Sequence, residues 1–123
     1  MWCFNGNPEY IALYYDRGKL TEGKTHFQIF DKDWNNRNDM INPKSKEFTI
    51  DSKIIDAPNL LYDLLKSAQQ LSKDLPQARV DFYIVDNNIY FGEITLSSLG
   101  GRMTYFTPAA LKEMGDKITL PFV

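Results

Sequence analysis

Residues 79–95, RVDFYIVDNNIYFGEIT, constrain the fold more than any other stretch of the 123-residue chain. Two runs rich in β-branched and aromatic residues flank a polar Asp-Asn-Asn turn, the pattern of a β-hairpin. Alternation sorts each run into two faces. In the first run Val80, Phe82 and Ile84 share one face, and Arg79, Asp81 and Tyr83 the other. In the second, Ile89, Phe91, Glu93 and Thr95 lie opposite Tyr90, Gly92, Ile94 and Leu96. Pairing register decides whether the two acids meet. A three-residue loop, Asp86-Asn87-Asn88, makes the position numbers of opposed residues sum to 174 and sets Asp81 against Glu93. A two-residue loop, Asn87-Asn88, makes that sum 175 and sends the carboxylates to opposite faces, because a one-residue slip turns every side chain over. Directly opposed carboxylates repel. The pair either belongs to an ordinary wet face or converges on a hard cation such as Mg²⁺, which is commonly held by one or two carboxylates together with substrate phosphates. The pattern leaves both readings open.

A hairpin is not stable by itself and needs further strands. MWCF and EYIALYYD flank NGNP, an Asn-Gly hairpin signal, and THFQIF supplies a third run. Residues 31–56 are mostly polar and read as a long loop with one short strand at EFTI. In DAPNLLYDLLKSAQQLSKDL, residues Leu60, Leu61, Leu64, Leu65, Ala68, Leu71 and Leu75 make one apolar stripe at helical spacing. Pro58 sits near the start of this helix and Pro76 stops it. TPAALKEMG predicts a second, shorter helix with Thr107 as N-cap, Pro108 at the first helical position and Gly115 as C-cap. The expected class is α+β, an antiparallel sheet with one or two helices packed on one face, in a single domain over residues 1–123. A strand that opens at Met1 is an odd start for a protein, because nothing ahead of it orders its first residues.

Composition narrows the function. The net charge of −2, with no cluster of Lys and Arg, provides no field for nucleic acid. No apolar run has membrane-spanning length, and the first residues lack the basic and then apolar regions of a signal peptide. Cys3, the one cysteine, cannot form an internal disulfide and reads as a small core residue in a reducing, cytoplasmic protein. His26, the one histidine, leaves no His-rich zinc site or Ser-His-Asp triad. Trp2, Phe4, Tyr10, Tyr14 and Tyr15 have no basic residues among them, so they read as sheet packing and not as a base-stacking platform.

The segment RVDFYIVDNNIYFGEITLSSLGG resembles the closing segment of the ATP-grasp ligases: R-x-D, a hairpin, then E-x-N and a glycine-bearing loop. It is similar in particular to the TupA-like ATP-grasp family, associated with bacterial surface polysaccharide and teichuronopeptide synthesis. WCFNGNPEYI, FDKDW and TPAALKEMGDKITLP extend the resemblance along nearly the whole chain. The resemblance implies that Asp81 and Glu93 are Mg²⁺ ligands, with Glu93 bridging two ions between ATP phosphates. Thr95 stands where most ATP-grasp enzymes place an Asn ligand. Arg79 would reach the transferred phosphoryl group, a role suited to a planar, always-charged donor. Gly100 and Gly101 would let backbone N–H groups approach the second substrate, with Arg102 beside them. The implied chemistry is ATP-driven activation of a carboxylate as an acyl phosphate, followed by attack of an amine. In such enzymes the lobe carrying the phosphate-binding lysines lies N-terminal to this segment, and Lys19, Lys24 and Lys32 do not match its motifs. The expectation is therefore a C-terminal lobe, inactive alone.

Two other classes compete. Asp31-x-Asp33, after an apolar strand, resembles the metal and nucleotide-sugar element of many glycosyltransferases, although acidic turn residues give the same tripeptide. As an EF-hand loop the stretch fails, because Asn36 replaces the needed Gly and Asn42 the bidentate Glu. The remaining reading is a non-catalytic interaction module or homo-oligomer, joined through apolar surface and an open sheet edge.

Overall fold

The computed structural model describes residues 1–16, 25–45 and 48–120. Its strands are β1 (Trp2–Phe4), β2 (Asn7–Tyr15), β3 (His26–Asp31), β4 (Thr49–Ile50), β5 (Gln77–Val85) and β6 (Asn88–Thr95). The helices are α1 (Leu61–Leu71) and α2 (Pro108–Gly115). The strands form one sheet in the order β4-β3-β2-β1-β5-β6, antiparallel except where β4 joins β3. This is the α+β class expected.

The short β1 lies at the centre. Asn5 and Gly6 turn it into β2 with φ of 51° and 79°, the two left-handed positions that a tight hairpin turn requires. On its other side Trp2, Cys3 and Phe4 pair with Arg79, Ala78 and Gln77 of β5. The ladder runs on through Met1, whose carbonyl accepts from Val80 N–H at 2.8 Å. The first residues are thus ordered from both sides.

Alternation along β1 divides the core between the two faces of the sheet. Cys3 points with Ile11, Phe30 and Val80 toward Leu64 and Ala68 of α1. Trp2 and Phe4 point with Tyr10, Phe27 and Ile29 toward Ala110 and Met114 of α2, joined by Met40, Ile41, Tyr105 and Phe106. Each helix therefore covers its own face. Burying one such large apolar side chain contributes about 1.5–3 kcal/mol.

The helix ends differ from expectation. α1 begins after Pro58 and stops at Leu71, well before Pro76. Ser72 Oγ donates to the Ala68 carbonyl at 2.7 Å, and Asp74 takes a left-handed φ of 64°, so a local turn ends the helix before proline can. At α2 the start is as expected: Thr107 Oγ1 accepts from Ala110 N–H at 3.0 Å, with Pro108 in the first turn. Gly115 is the last helical residue, and Asp116, in right-handed conformation, is the C-cap. An ion-pair clamp holds α2 to the sheet. Arg37 forks Glu113 at 3.0 and 3.1 Å and Asp39 at 3.0 and 3.2 Å, while the Tyr10 hydroxyl donates to Glu113.

The polar segment after β3 is tied down by side chains. Fully buried Gln28 donates to the Tyr15 hydroxyl (3.0 Å) and the Lys53 carbonyl (2.9 Å) and accepts from Asn36 Nδ2 (3.0 Å). Asn38 accepts from Ile29 N–H and donates to the Asp51 carbonyl. Trp34 stacks on Phe30 with ring centroids 4.2 Å apart and donates to the Ile55 carbonyl. The short strand expected at EFTI is β4.

Candidate metal and phosphate site

Asp81 stands opposite Glu93, the outcome that the sequence tied to a three-residue loop, but the structure reaches it by another route. The loop is the two-residue Asp86-Asn87, with φ of 50° and 62°, and Asn88 already belongs to β6. Opposed position numbers therefore sum to 173 from Val85–Asn88 through Phe82–Phe91. A β-bulge then adds one residue to β6, and the sum becomes 174 for Asp81–Glu93, Val80–Ile94 and Arg79–Thr95. Without the bulge Glu93 would face Val80 and lie on the other side of the sheet. The bulge also corrects the expected faces: Phe91 pairs with Phe82, their ring centroids 6.5 Å apart, and does not share a face with Glu93.

Gly92 is the inserted residue. A Cβ there would lie 2.9 Å from Tyr83 Cε2 and 3.1 Å from the Asp81 carbonyl oxygen, so β6 passes too close to β5 for a side chain.

Arg79 organises the site. Its register partner across β1 is Trp2, and its guanidinium carbon lies 5.9 Å from the Trp2 ring centroid, within cation–π range. Nε donates to Asp81 Oδ1 at 2.9 Å and Nη2 to Asp81 Oδ2 at 3.0 Å, a bidentate fork. Nη2 also reaches Glu93 Oε1 and Thr95 Oγ1, both at 3.4 Å, and Nη1 reaches Ser98 Oγ at 3.2 Å. Burial opposes the charge of this guanidinium. The Asp81 hydrogen bonds and charge outweigh it and hold the Arg79 pKa above its ordinary value. Repulsion between the opposed acids is thus relieved by a cation from within the chain.

Ser98 was not legible as a site residue. It is buried and opens a single 3-10 turn over Ser98–Gly101, so it joins the glycine turn to the arginine. Gly100 and Gly101 lie in that turn. Gly101 has a φ of 84° and open space where a Cβ would stand. Arg102 follows, exposed. Of the lysines weighed above, Lys19 and Lys24 lie outside the described residues, and Lys32 is exposed in the turn after β3.

Asp31-x-Asp33 serves local structure. Asp31 Oδ1 accepts from Asp33 N–H and Asn35 N–H, both at 2.9 Å, and Oδ2 accepts from Asn35 Nδ2 at 3.0 Å. Burial works against its charge, but these hydrogen bonds prevail and hold its pKa below the ordinary value. The same bonds support Trp34 at a left-handed φ of 66°.

Among the described residues no group of three or more His, Cys, Asp and Glu side chains converges as a self-sufficient metal cage. Two facing carboxylates and one hydroxyl form a hard-oxygen set that fits Mg²⁺ completed by phosphate oxygens.

Fold and site together define a mostly antiparallel α+β structure that gathers two carboxylates, a hydroxyl and a guanidinium on one sheet face, chemistry suited to a divalent cation and phosphate. The family model described as TupA-like ATPgrasp matches residues 1–119, and the chain belongs to that family. It is a family of ATP-grasp-type ligases, in which ATP and Mg²⁺ are general requirements. No curated protein and no solved structure matches the chain. No helix among the described residues is long and apolar enough to cross a membrane.

Proposed function

We propose that this chain is the metal- and phosphate-binding lobe of an ATP- and Mg²⁺-dependent carboxylate–amine ligase acting in the cytoplasm, in synthesis of bacterial surface polysaccharide or teichuronopeptide. The observation that carries this reading is the Asp81–Glu93 opposition, held by Arg79 and created by the bulge at Gly92. Asp81 and Glu93, with Thr95 beside them, would hold two Mg²⁺ ions, which when bound neutralise phosphate charge. Arg79 would present its fork to the phosphoryl group in transfer, where preorganised charge lowers the barrier. Gly100 and Gly101, with Arg102, would orient the carboxylate or amine substrate through backbone N–H groups.

Turnover in this reading needs a complementary body to cover the nucleotide. The outer hairpin supports that requirement: Tyr83, Val85 and Tyr90, on the acids' own face, are each more than half exposed. An apolar patch of this kind marks a contact surface. The same surface and the open β6 edge also favour self-association, which sedimentation at rising concentration detects.

Calorimetric titration of Mg·ATP into the chain tests the assignment. Mg²⁺-dependent binding abolished by Glu93→Ala is the expected result. Binding that persists in Glu93→Ala, or that needs no metal, overturns it. A folded chain without any binding would move the test to a preparation containing the complementary lobe.

A further inference from the structure

The Arg79 fork occupies the ligand set assigned to metal. One atom, Nη2, lies 3.0 Å from Asp81 Oδ2 and 3.4 Å from both Glu93 Oε1 and Thr95 Oγ1. It touches all three of the residues expected to bind a cation. We propose that Arg79 is the internal counter-cation of this site, and that a divalent ion binds only by displacing its guanidinium from Asp81 and Glu93. This rests on the reading of the hairpin as the metal site and goes further, because it makes the arginine a competitor of the metal as well as a ligand for phosphate.

Three observations support the exchange. The two carboxylates carry a charge of −2 that one guanidinium only half neutralises, so a doubly charged ion is the better partner in charge. Glu93 is 66% exposed and only touches Nη2 at long range, so it is free to turn toward an ion at little cost. Finally, the contacts of Arg79 to Ser98 Oγ and to the Trp2 ring involve neither carboxylate, and they hold the guanidinium beside the site after it lets go of Asp81. The displaced fork then has its Nε–Nη2 edge available for a phosphate. Arg79 thus balances the carboxylates in place of an ion and is released for phosphate when the ion arrives.

The test is Mn²⁺ affinity by electron paramagnetic resonance, without nucleotide, for the wild-type chain, Arg79→Gln and Arg79→Lys. Removing the competing charge should tighten Mn²⁺ binding roughly tenfold in Arg79→Gln, a figure reduced for the solvent exposure of Glu93. Arg79→Lys keeps the charge and should stay within about threefold of wild type. Tightening in Arg79→Gln alone supports the proposal. Equal affinity in all three, weaker binding in Arg79→Gln, or equal tightening in both variants overturns it. If Arg79→Gln does not fold, the Arg79 Nε–H resonance of the wild-type chain must shift on Mg²⁺ addition as the fork leaves Asp81, and no shift while Mg²⁺ binds overturns the proposal. Mn²⁺ binding that is the same with and without Arg79 refutes the counter-cation alone. Binding by none of the folded variants refutes the metal site itself.

Discussion

Substituting Gly92 by alanine should damage both the hairpin and the site. The new Cβ would meet Tyr83 Cε2 at 2.9 Å and the Asp81 carbonyl oxygen at 3.1 Å. The ring has room to move, since Tyr83 is 59% exposed. The carbonyl belongs to the β5 backbone and moves only if the ladder opens beside Asp81. Overpacking of this kind costs about 1–3 kcal/mol, offset by about 0.4–1 kcal/mol from the stiffer unfolded chain. The net loss, about 1–2 kcal/mol, corresponds to a fall in Tm of roughly 4–10 °C for a domain of this size. Thermal melts followed by circular dichroism measure that fall, and calorimetry measures the Mg·ATP binding lost as Asp81 shifts against Glu93. A double-mutant cycle with Tyr83→Ala separates the two contacts. Because the rigid contact is the carbonyl, the double variant should recover little of the loss. A Gly92→Ala chain as stable as wild type, or full recovery in the double variant, would refute the argument that the close backbone approach fixes glycine here.

Two further outcomes follow from the α2 side of the sheet. Thr107→Ala removes the acceptor for Ala110 N–H and should lower stability by about 1 kcal/mol, or roughly 3–6 °C in Tm, whereas Thr107→Ser should restore most of it. Glu113 is held below its ordinary value of 4.5 by the Arg37 fork and the Tyr10 hydroxyl. The unfolded chain therefore binds its proton first, and the contribution of Glu113 is complete above pH 4.5 and lost as pH falls through the lower folded value. Glu113→Gln should make stability less steep below that pH, as read from urea melts across an acid series. An unchanged slope would mean that the clamp contributes nothing that titrates.

Where the chain was legible, one local signal decided the outcome. Asn5-Gly6 announced its turn, and Thr107-Pro108 announced the start of α2. The meeting of Asp81 and Glu93 was one of two registers that the sequence left open, and its cause was not legible. Two departures from the expected register, a shorter loop and an extra residue, combine to leave that pair opposed. The available signal was Gly92 itself, a glycine inside a strand, which marks a bulge or a close approach. Pro76 drew attention as the end of α1, yet Ser72 and Asp74 end it through a side-chain bond and a left-handed residue that periodicity does not register. Gln28 and Ser98 escaped because isolated polar residues have no pattern, and their roles exist only once distant segments meet them. Nor does spacing show that Arg79 reaches Glu93 and Thr95, since the bulge sets those contacts.

The central position of β1 has a consequence for how the chain acquires its structure. The partners of β1 in β5, Trp2 with Arg79 and Phe4 with Gln77, are more than seventy residues apart in sequence. Contacts of such separation close late, after loop entropy has been lost, and slow a domain relative to one built from neighbouring hairpins. On a ribosome, the β1–β2–β3 meander can form early and must then wait with one edge of β1 unpaired until β5 emerges. For that interval, Trp2 and Phe4 lie beside an open row of backbone donors and acceptors in the middle of the future sheet. The face carrying Asp81 and Glu93 is complete only when the last strand pair, β5–β6, docks on that waiting edge. Folding thus assembles that face at its final closure, and a chain stalled before residue 80 would leave one edge of β1 unpaired.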